Sequence, residues 1–184
     1  MDYIRESGGF FVDVTIHDLD TARWLVGEIE EVTAFGAALS DPAFVEADDV
    51  DNAVVALRFA NGALGVIDES RVAGYGYDCT TEVLGSHATV RIGDHRRIHN
   101  VWLTPGSETV DWVEDFTERY PQAYALELES FAAAIRDQRP PAVTGEDGLA
   151  AFVLAQACER SFRERRTIQL RREERVGRVI YEAA

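Results

Sequence analysis

An α+β fold, built on an open mixed or mostly antiparallel sheet of about six strands with helices on one face, is what the order of this sequence predicts. Three observations carry it. A helix-period stretch near the N-terminus ends at Gly27, a run of strand-period segments joined by hairpin turns fills the middle, and two helical stretches with clear start signals occupy the last third.

Taken in order, residues 1–6 read as a short lead-in. Ile16, Leu19, Ala22, Trp24, Leu25 and Val26 then supply a mostly apolar helical face, so a helix is expected from about Asp13 to Val26 with Gly27 as its C-terminal cap. From Glu30 the period shortens to two, and a strand to Leu39 is closed by Asp41-Pro42 before an acidic loop, Glu46-Ala47-Asp48-Asp49. Val50 to Phe59 places Val55, Leu57 and Phe59 on one face, and Asn61-Gly62 is a hairpin turn leading into Ala63 to Val72. Thr80 to Leu84 pairs with Ala88 to Ile92 across Gly85-Ser86-His87. Val101 to Leu103 and Val110 to Val113, separated by Pro105-Gly106, complete the sheet. Tyr124, Leu128, Phe131 and Ile135 recur at helical spacing between Pro121 and Pro140-Pro141. Thr144-Gly145-Glu146-Asp147 has the form of a capping box and opens a helix through Leu149, Phe152, Val153, Cys158 and Phe162. Cys158 on that apolar face reads as a core residue. After Thr167 the chain reads as another strand or, over 171–184, a loose tail.

With 184 residues the chain suits one domain, 1–184. No apolar run approaches the roughly 20 residues a membrane span needs. A formal charge of −15, with no basic patch interleaved with aromatics, argues against nucleic acid as a partner. All 18 basic residues are arginine, so any lysine chemistry must come from elsewhere. No secretory signal opens the sequence, and Cys79 and Cys158 make neither a disulfide framework nor a paired metal motif; a cytoplasmic, thiol-reduced setting is the expectation. Val54, Val55, Ala56 and Leu57 are consecutive, so the sheet is apolar on both faces while its helices suffice for one. A homo-oligomer, dimer or tetramer, formed through the sheet face is therefore expected.

The chemistry concentrates in Ser7-Gly8-Gly9-Phe10-Phe11-Val12-Asp13-Val14-Thr15-Ile16-His17-Asp18-Leu19-Asp20. Asp13 and His17 are four residues apart, one helical turn on one face. Imidazole exchanges a proton near neutral pH and a carboxylate can orient it, so the pair suits general acid–base work. A helix cap at Asp13 and a core-edge histidine at His17 would use the same residues without chemistry. A metal reading of Asp13, His17, Asp18 and Asp20 fails on spacing, since only Asp13 and His17 share a face, and His87, His95 and His99 are irregularly placed.

Ser7-Gly8-Gly9-x-x-x-Asp13-x-x-x-His17-Asp18-x-Asp20, preceded by Tyr3-Ile4, resembles the segment that opens the catalytic helix in the Gfo/Idh/MocA oxidoreductase family. The resemblance continues through Leu57-Arg58-Phe59-Ala60-Asn61-Gly62-Ala63, Ile67-Asp68-Glu69-Ser70-Arg71, Tyr75-Gly76-Tyr77-Asp78 and Glu82-Val83-Leu84-Gly85, then through Glu127 to Ala134 and Gly145 to Gly148. Tyr-Gly-Tyr-Asp tilts it toward the inositol 2-dehydrogenase branch. What the resemblance implies is the C-terminal, substrate-binding and oligomer-building half of an enzyme that oxidises a polyol or sugar hydroxyl to a ketone. NAD or NADP would be bound by an N-terminal Rossmann domain outside this chain, in the same polypeptide or as a separate chain. On that resemblance His17 is the proton acceptor, Asp13 its orienting and substrate-binding partner, and Tyr75, Tyr77 and Asp78 fall where the inositol branch contacts substrate.

Departures from the family pattern shape the expectation. The glycine fingerprint of a dinucleotide site is missing, because Gly8-Gly9 and Gly74-x-Gly76 have neither its spacing nor its strand-turn-helix setting. The family's lysine is missing with it. Cys79-Thr80 stand where the branch more often has Gln-Arg, which loosens the substrate assignment. The chain by itself is therefore expected to be inactive, and a non-catalytic oligomerisation module is the alternative reading.

Overall fold

The structure is a computed structural model that describes residues 2–93, 96–175 and 178–183. Contacts gather into two compact units, residues 1–72 with 143–184 and residues 73–142. None of the described helices is long and apolar enough to cross a membrane.

The first unit opens with α1 (Asp2–Glu6) and a π-helical turn over Phe11–Thr15 that runs straight into α2 (Ile16–Val26). Gly27, at φ 123°, closes α2 in backbone space that disfavours side chains. Strands β1 (Ile29–Ala37), β2 (Asn52–Phe59) and β3 (Leu64–Ser70) follow, interrupted by the short α3 (Pro42–Glu46). After residue 143 come α6 (Gly145–Glu164) and the strands β8 (Ile168–Arg175) and β9 (Arg178–Ala183). They complete an antiparallel five-stranded sheet in the order β3-β2-β1-β8-β9.

Alternation fixes the register of this sheet. Ala53, Val55, Leu57 and Phe59 all face inward with Val32, Ala34, Ile168 and Leu170, under Leu154, Ala155, Ala157 and Cys158 of α6 and Phe10, Phe11 and Leu19. Each large apolar side chain so buried contributes about 1.5–3 kcal/mol, so a one-residue slip of β2, which would expose the whole row, is strongly excluded. A bulge between Ile29 and Glu31 resets the phase of β1, allowing Ile29 and Val32 both to be buried. The outer face is different: Phe35, Val54, Leu64 and Val66 lie exposed on it.

Two polar devices hold the inner layer. Buried Ser161 accepts from Ala34 N at 2.9 Å and donates to Arg166 O at 2.6 Å, tying α6 to β1 and to the start of β8. Buried Asp51 accepts from the backbone of Leu39, Ser40 and Asp41 and from the Asn52 amide, which closes the loop over α3. Burial opposes its charge, but those four donors outweigh it and hold the carboxyl below its ordinary value.

The second unit contains two separate antiparallel ribbons, β4 (Thr81–Leu84) with β5 (Thr89–Ile92) and β6 (Arg96–Thr104) with β7 (Ser107–Trp112). It also contains the short α4 (Phe116–Arg119) and α5 (Pro121–Arg136). Among the described residues all seven strands expected up to Val113 form, and the two expected hairpins, β2 with β3 and β4 with β5, pair antiparallel. The seven divide, however, into three of the five-stranded sheet and two independent ribbons rather than one continuous sheet. Tyr124, Leu128, Phe131 and Ile135 of α5 are exposed, and Ala134 is its buried residue. The Thr144 capping box is present, with Asp147 donating to the Thr144 hydroxyl and accepting from the Thr144 backbone.

Candidate active site

Gly8 and Gly9, at φ 87° and 91°, take the chain out of α1 and into the π turn through left-handed backbone. A side chain at Gly8 would meet Val12 Cγ1 at 3.2 Å, so the reversal is tight as well as unusual in conformation. In the widened turn Ile16 N reaches back to Phe11 O, and such single π turns are frequent at functional sites. Phe11, Thr15 and Leu19, spaced by four, are buried against the core. Asp13 and His17 stand two places further along the same four-residue interval, and His17 is exposed.

The reversal lets Tyr3 fold back over the turn. Its hydroxyl donates to Asp13, at 2.8 Å from Oδ1 and 3.0 Å from Oδ2, and this bond to a carboxylate raises the tyrosine's pKa. From the end of β3, Arg71 Nη2 donates to Asp13 Oδ2 at 2.6 Å, with both side chains about four-fifths shielded. The Arg71 guanidinium also lies 5.7–5.8 Å from the ring centres of Tyr3, Phe10 and Phe44. A carboxylate offers about four acceptor positions, so Asp13 keeps capacity toward solvent while two donors fix its plane. Among the described residues no side-chain hydrogen bond reaches His17; its carbonyl accepts from Thr21 Oγ1 at 2.8 Å.

Beneath the turn, fully buried Thr15 donates to Glu69 Oε2 at 2.6 Å. Burial first, and then Asp18 beside it, push the Glu69 carboxyl up to about 8.

Tyr75, Tyr77 and Asp78 belong to the second unit. Tyr75 donates to Asp78 Oδ2 at 2.6 Å, which raises the tyrosine's pKa, and packs its ring edge-on to Trp112. Tyr77 N donates to Val113 O at 2.9 Å, and its ring meets Tyr120 edge-on. Gly76 between them has φ 130°, and a side chain there would lie 2.8 Å from Val113 O. Tyr120 is hydrogen-bonded to Cys79, and burial keeps its hydroxyl protonated well beyond its ordinary range.

The glycines do not make a dinucleotide cradle. Gly8-Gly9 follow a helix instead of a strand, and Gly74-x-Gly76 lie in the connection between β3 and β4 with no helix after them. Among the described residues no three His, Cys, Asp or Glu side chains gather as a metal site; His95 is outside those residues.

Against this geometry, the family model described as "Oxidoreductase family, C-terminal alpha/beta domain" matches residues 2–170. The chain belongs to the Gfo/Idh/MocA oxidoreductase family. It is 47% identical over 180 residues to the myo-inositol 2-dehydrogenase of Thermotoga maritima, covering 96% of this chain and 53% of that protein. It is 45% identical to the inositol 2-dehydrogenase of Rhizobium meliloti, over 92% of this chain and 52% of the relative. A myo-inositol dehydrogenase structure from Corynebacterium glutamicum superposes with a TM-score of 0.89 at 41% identity, covering 92% of this chain and 52% of that one. The scyllo-inositol dehydrogenase of Lactobacillus casei, solved with NAD(H) and scyllo-inositol, gives 0.83 at 27% identity, over 89% and 49%. The chain thus spans about half the length of the curated relatives it matches.

Tyr3, Arg71 and the Thr15–Glu69 bond are the parts of the site that the spacing of residues did not assign. A signal for the last two is nonetheless present. Glu69 and Arg71 fall in phase with inward-facing Ile67, and acid and guanidinium groups in core phase mark a built polar site.

Proposed function

We propose that this chain is the substrate-binding half of an NAD(P)-dependent inositol or related polyol dehydrogenase, oxidising a secondary alcohol to a ketone. The observation that supports it best is a carboxylate fixed by Tyr3 and Arg71 one turn before an exposed histidine, in a chain 47% identical to a myo-inositol 2-dehydrogenase. In this reading Asp13 receives a substrate hydroxyl through its remaining acceptor positions and orients the reacting group toward His17. His17 takes the hydroxyl proton, and its exposure leaves the imidazole able to pass that proton to water. On the family resemblance, Tyr75, Tyr77 and Asp78 are the further substrate-binding candidates. A nicotinamide, when bound by a Rossmann part, supplies the hydride acceptor, and nothing in this chain's glycine loops is shaped to hold its pyrophosphate.

Exposed Phe35, Val54, Leu64 and Val66 support a homo-oligomer formed through the outer sheet face. The same face favours a second reading for the chain on its own, an oligomerisation module without turnover. Cys79 and Cys158, neither of them in a disulfide among the described residues, support a cytoplasmic setting.

The test is to join the chain, by fusion or co-expression, to the Rossmann part of an inositol 2-dehydrogenase relative and to measure oxidation of myo- and scyllo-inositol with NAD and NADP. His17→Ala should lower kcat by about 10² to 10⁴ fold, the worth of a positioned general base. Near-normal turnover in a folded His17→Ala enzyme would refute the assignment. The unjoined chain should bind neither dinucleotide, and a micromolar Kd by calorimetry would overturn the division of labour.

A further inference from the structure

We propose that Glu69 is a positioning residue whose neutral, protonated carboxyl pins the π turn and the first turn of α2 to β3, so that the placement of Asp13 and His17 depends on one retained proton. This rests on the reading of Asp13 and His17 given above, and deepens it with a form of control.

The geometry begins at Thr15, which closes the π turn, is fully buried, and gives its only hydroxyl proton to Glu69 Oε2 at 2.6 Å. The other oxygen, Oε1, is buried and receives no hydrogen bond among the described residues. The Asp18 carboxyl, one residue after His17, is the neighbouring charge that, after burial, raises the Glu69 carboxyl. Two ionised carboxyls have only acceptors to offer each other, so the contact is repulsive unless one of them carries a proton. A proton on Glu69 turns it into a donor toward Asp18 and satisfies the orphaned oxygen.

Burial, Asp18 on α2 and Asp68 on its own strand favour that state, and Cys158 on α6 is a buried thiol whose own pKa burial raises. The Thr15 hydroxyl favours the charged acid but is outweighed, and Arg71 lies two residues on in the same inward phase. With its pKa carried from 4.5 to about 8, Glu69 is protonated at neutral pH. An acid whose pKa is raised by folding favours the folded state most below its unfolded value, and that advantage shrinks as pH climbs from about 4.5 and is gone once pH has passed through about 8. Above that point Glu69 and Asp18 repel, and the segment linking Thr15 to His17 is the one that must yield.

Hydrogen exchange on the 184-residue chain reads this without any need for turnover. After correction for the chemical exchange rate, amides of residues 10–20 should lose protection as pH rises from about 5 to about 8, by up to about tenfold per unit, and level off above the Glu69 transition. Glu69→Gln, a neutral isostere that keeps an acceptor for Thr15 and a donor for Asp18, should remain protected across the range. A flat wild-type profile, or the same loss of protection in Glu69→Gln, would overturn the proposal. Infrared spectroscopy of the wild type provides a check that needs no variant: a protonated-carboxyl band should be present at pH 7 and titrate away above 8, and its absence at pH 7 would also overturn the proposal. If these results hold but His17→Ala keeps full turnover in the joined enzyme, the functional reading fails while the role of Glu69 in the turn stands.

Discussion

Replacing Arg71 by methionine isolates the clamp on Asp13. The substitution keeps an unbranched, apolar stem of similar length but removes the donor that sits 2.6 Å from Asp13 Oδ2. A charged hydrogen bond of this kind is worth about 1.5–3 kcal/mol. Contacts of the cation with the rings of Tyr3, Phe10 and Phe44 add about 0.5–1 kcal/mol each, offset in part by methionine's own packing. The carboxylate left behind is about four-fifths shielded and retains only the Tyr3 hydroxyl, which pushes the cost upward. A loss of about 3–4 kcal/mol follows, and with a urea m value of about 2 kcal/mol/M the midpoint should fall by about 1.5–2 M. Arg71→Lys keeps the charge without the planar fork and should recover about half. In a double-mutant cycle with Asp13→Asn the two changes should couple by about 1.5–3 kcal/mol, because each removes the same contact. Strict additivity, within about 0.5 kcal/mol, would show that the clamp does not exist in solution.

Asp51→Ala strands three backbone N–H groups at the α3 loop and should cost about 2–4 kcal/mol in urea unfolding. Since the Asp51 carboxyl is held below its ordinary value, its contribution is present above the unfolded-state value and is lost as pH falls through the folded one, so the wild type should converge on the variant in acid. Ser161→Ala leaves Ala34 N and Arg166 O without their buried partner and should lower stability by about 1–3 kcal/mol, with circular dichroism of the helices unchanged. Val66→Glu on the outer sheet face should shift light-scattering mass toward monomer; an unchanged mass would place the subunit contact elsewhere.

Local patterns carried much of this architecture. Period-two alternation placed β2, Asn61-Gly62 fixed its hairpin to β3, and Thr144 with Asp147 marked the start of α6. Where the structure goes beyond the pattern, the cause is physical. Asp41-Pro42 does follow the end of a strand, but aspartate accepting from Ala43 N with proline in the first turn is also the start of a helix, and α3 is what forms. Five-residue helices such as α1 and α3 are too short to show a period. Hairpins are legible because their turns are local, whereas the grouping of hairpins into sheets is set by distant packing, which is why one expected sheet became a sheet and two ribbons. The site divides along the same line. Asp13 and His17 are visible from a four-residue interval, but the π turn has no residue signature, and Arg71 reaches Asp13 across 58 positions.

The junction between β1 and β8 is a seam of two residue pairs, Glu31 with Gln169 and Val32 with Ile168, reinforced by the side-chain bond between Thr33 and Thr167. On one side of it β1 and β2 share a ladder of eight pairs, and on the other β8 and β9 share six. Force or heat applied to the C-terminal end therefore meets little resistance along the strands at that line. What holds the β8–β9 hairpin to the sheet is the burial of Ile168 and Leu170 under α6 more than its strand pairing, while the Glu69 and Arg71 side chains are carried by the longer β1–β2–β3 ladder on the other side of that line.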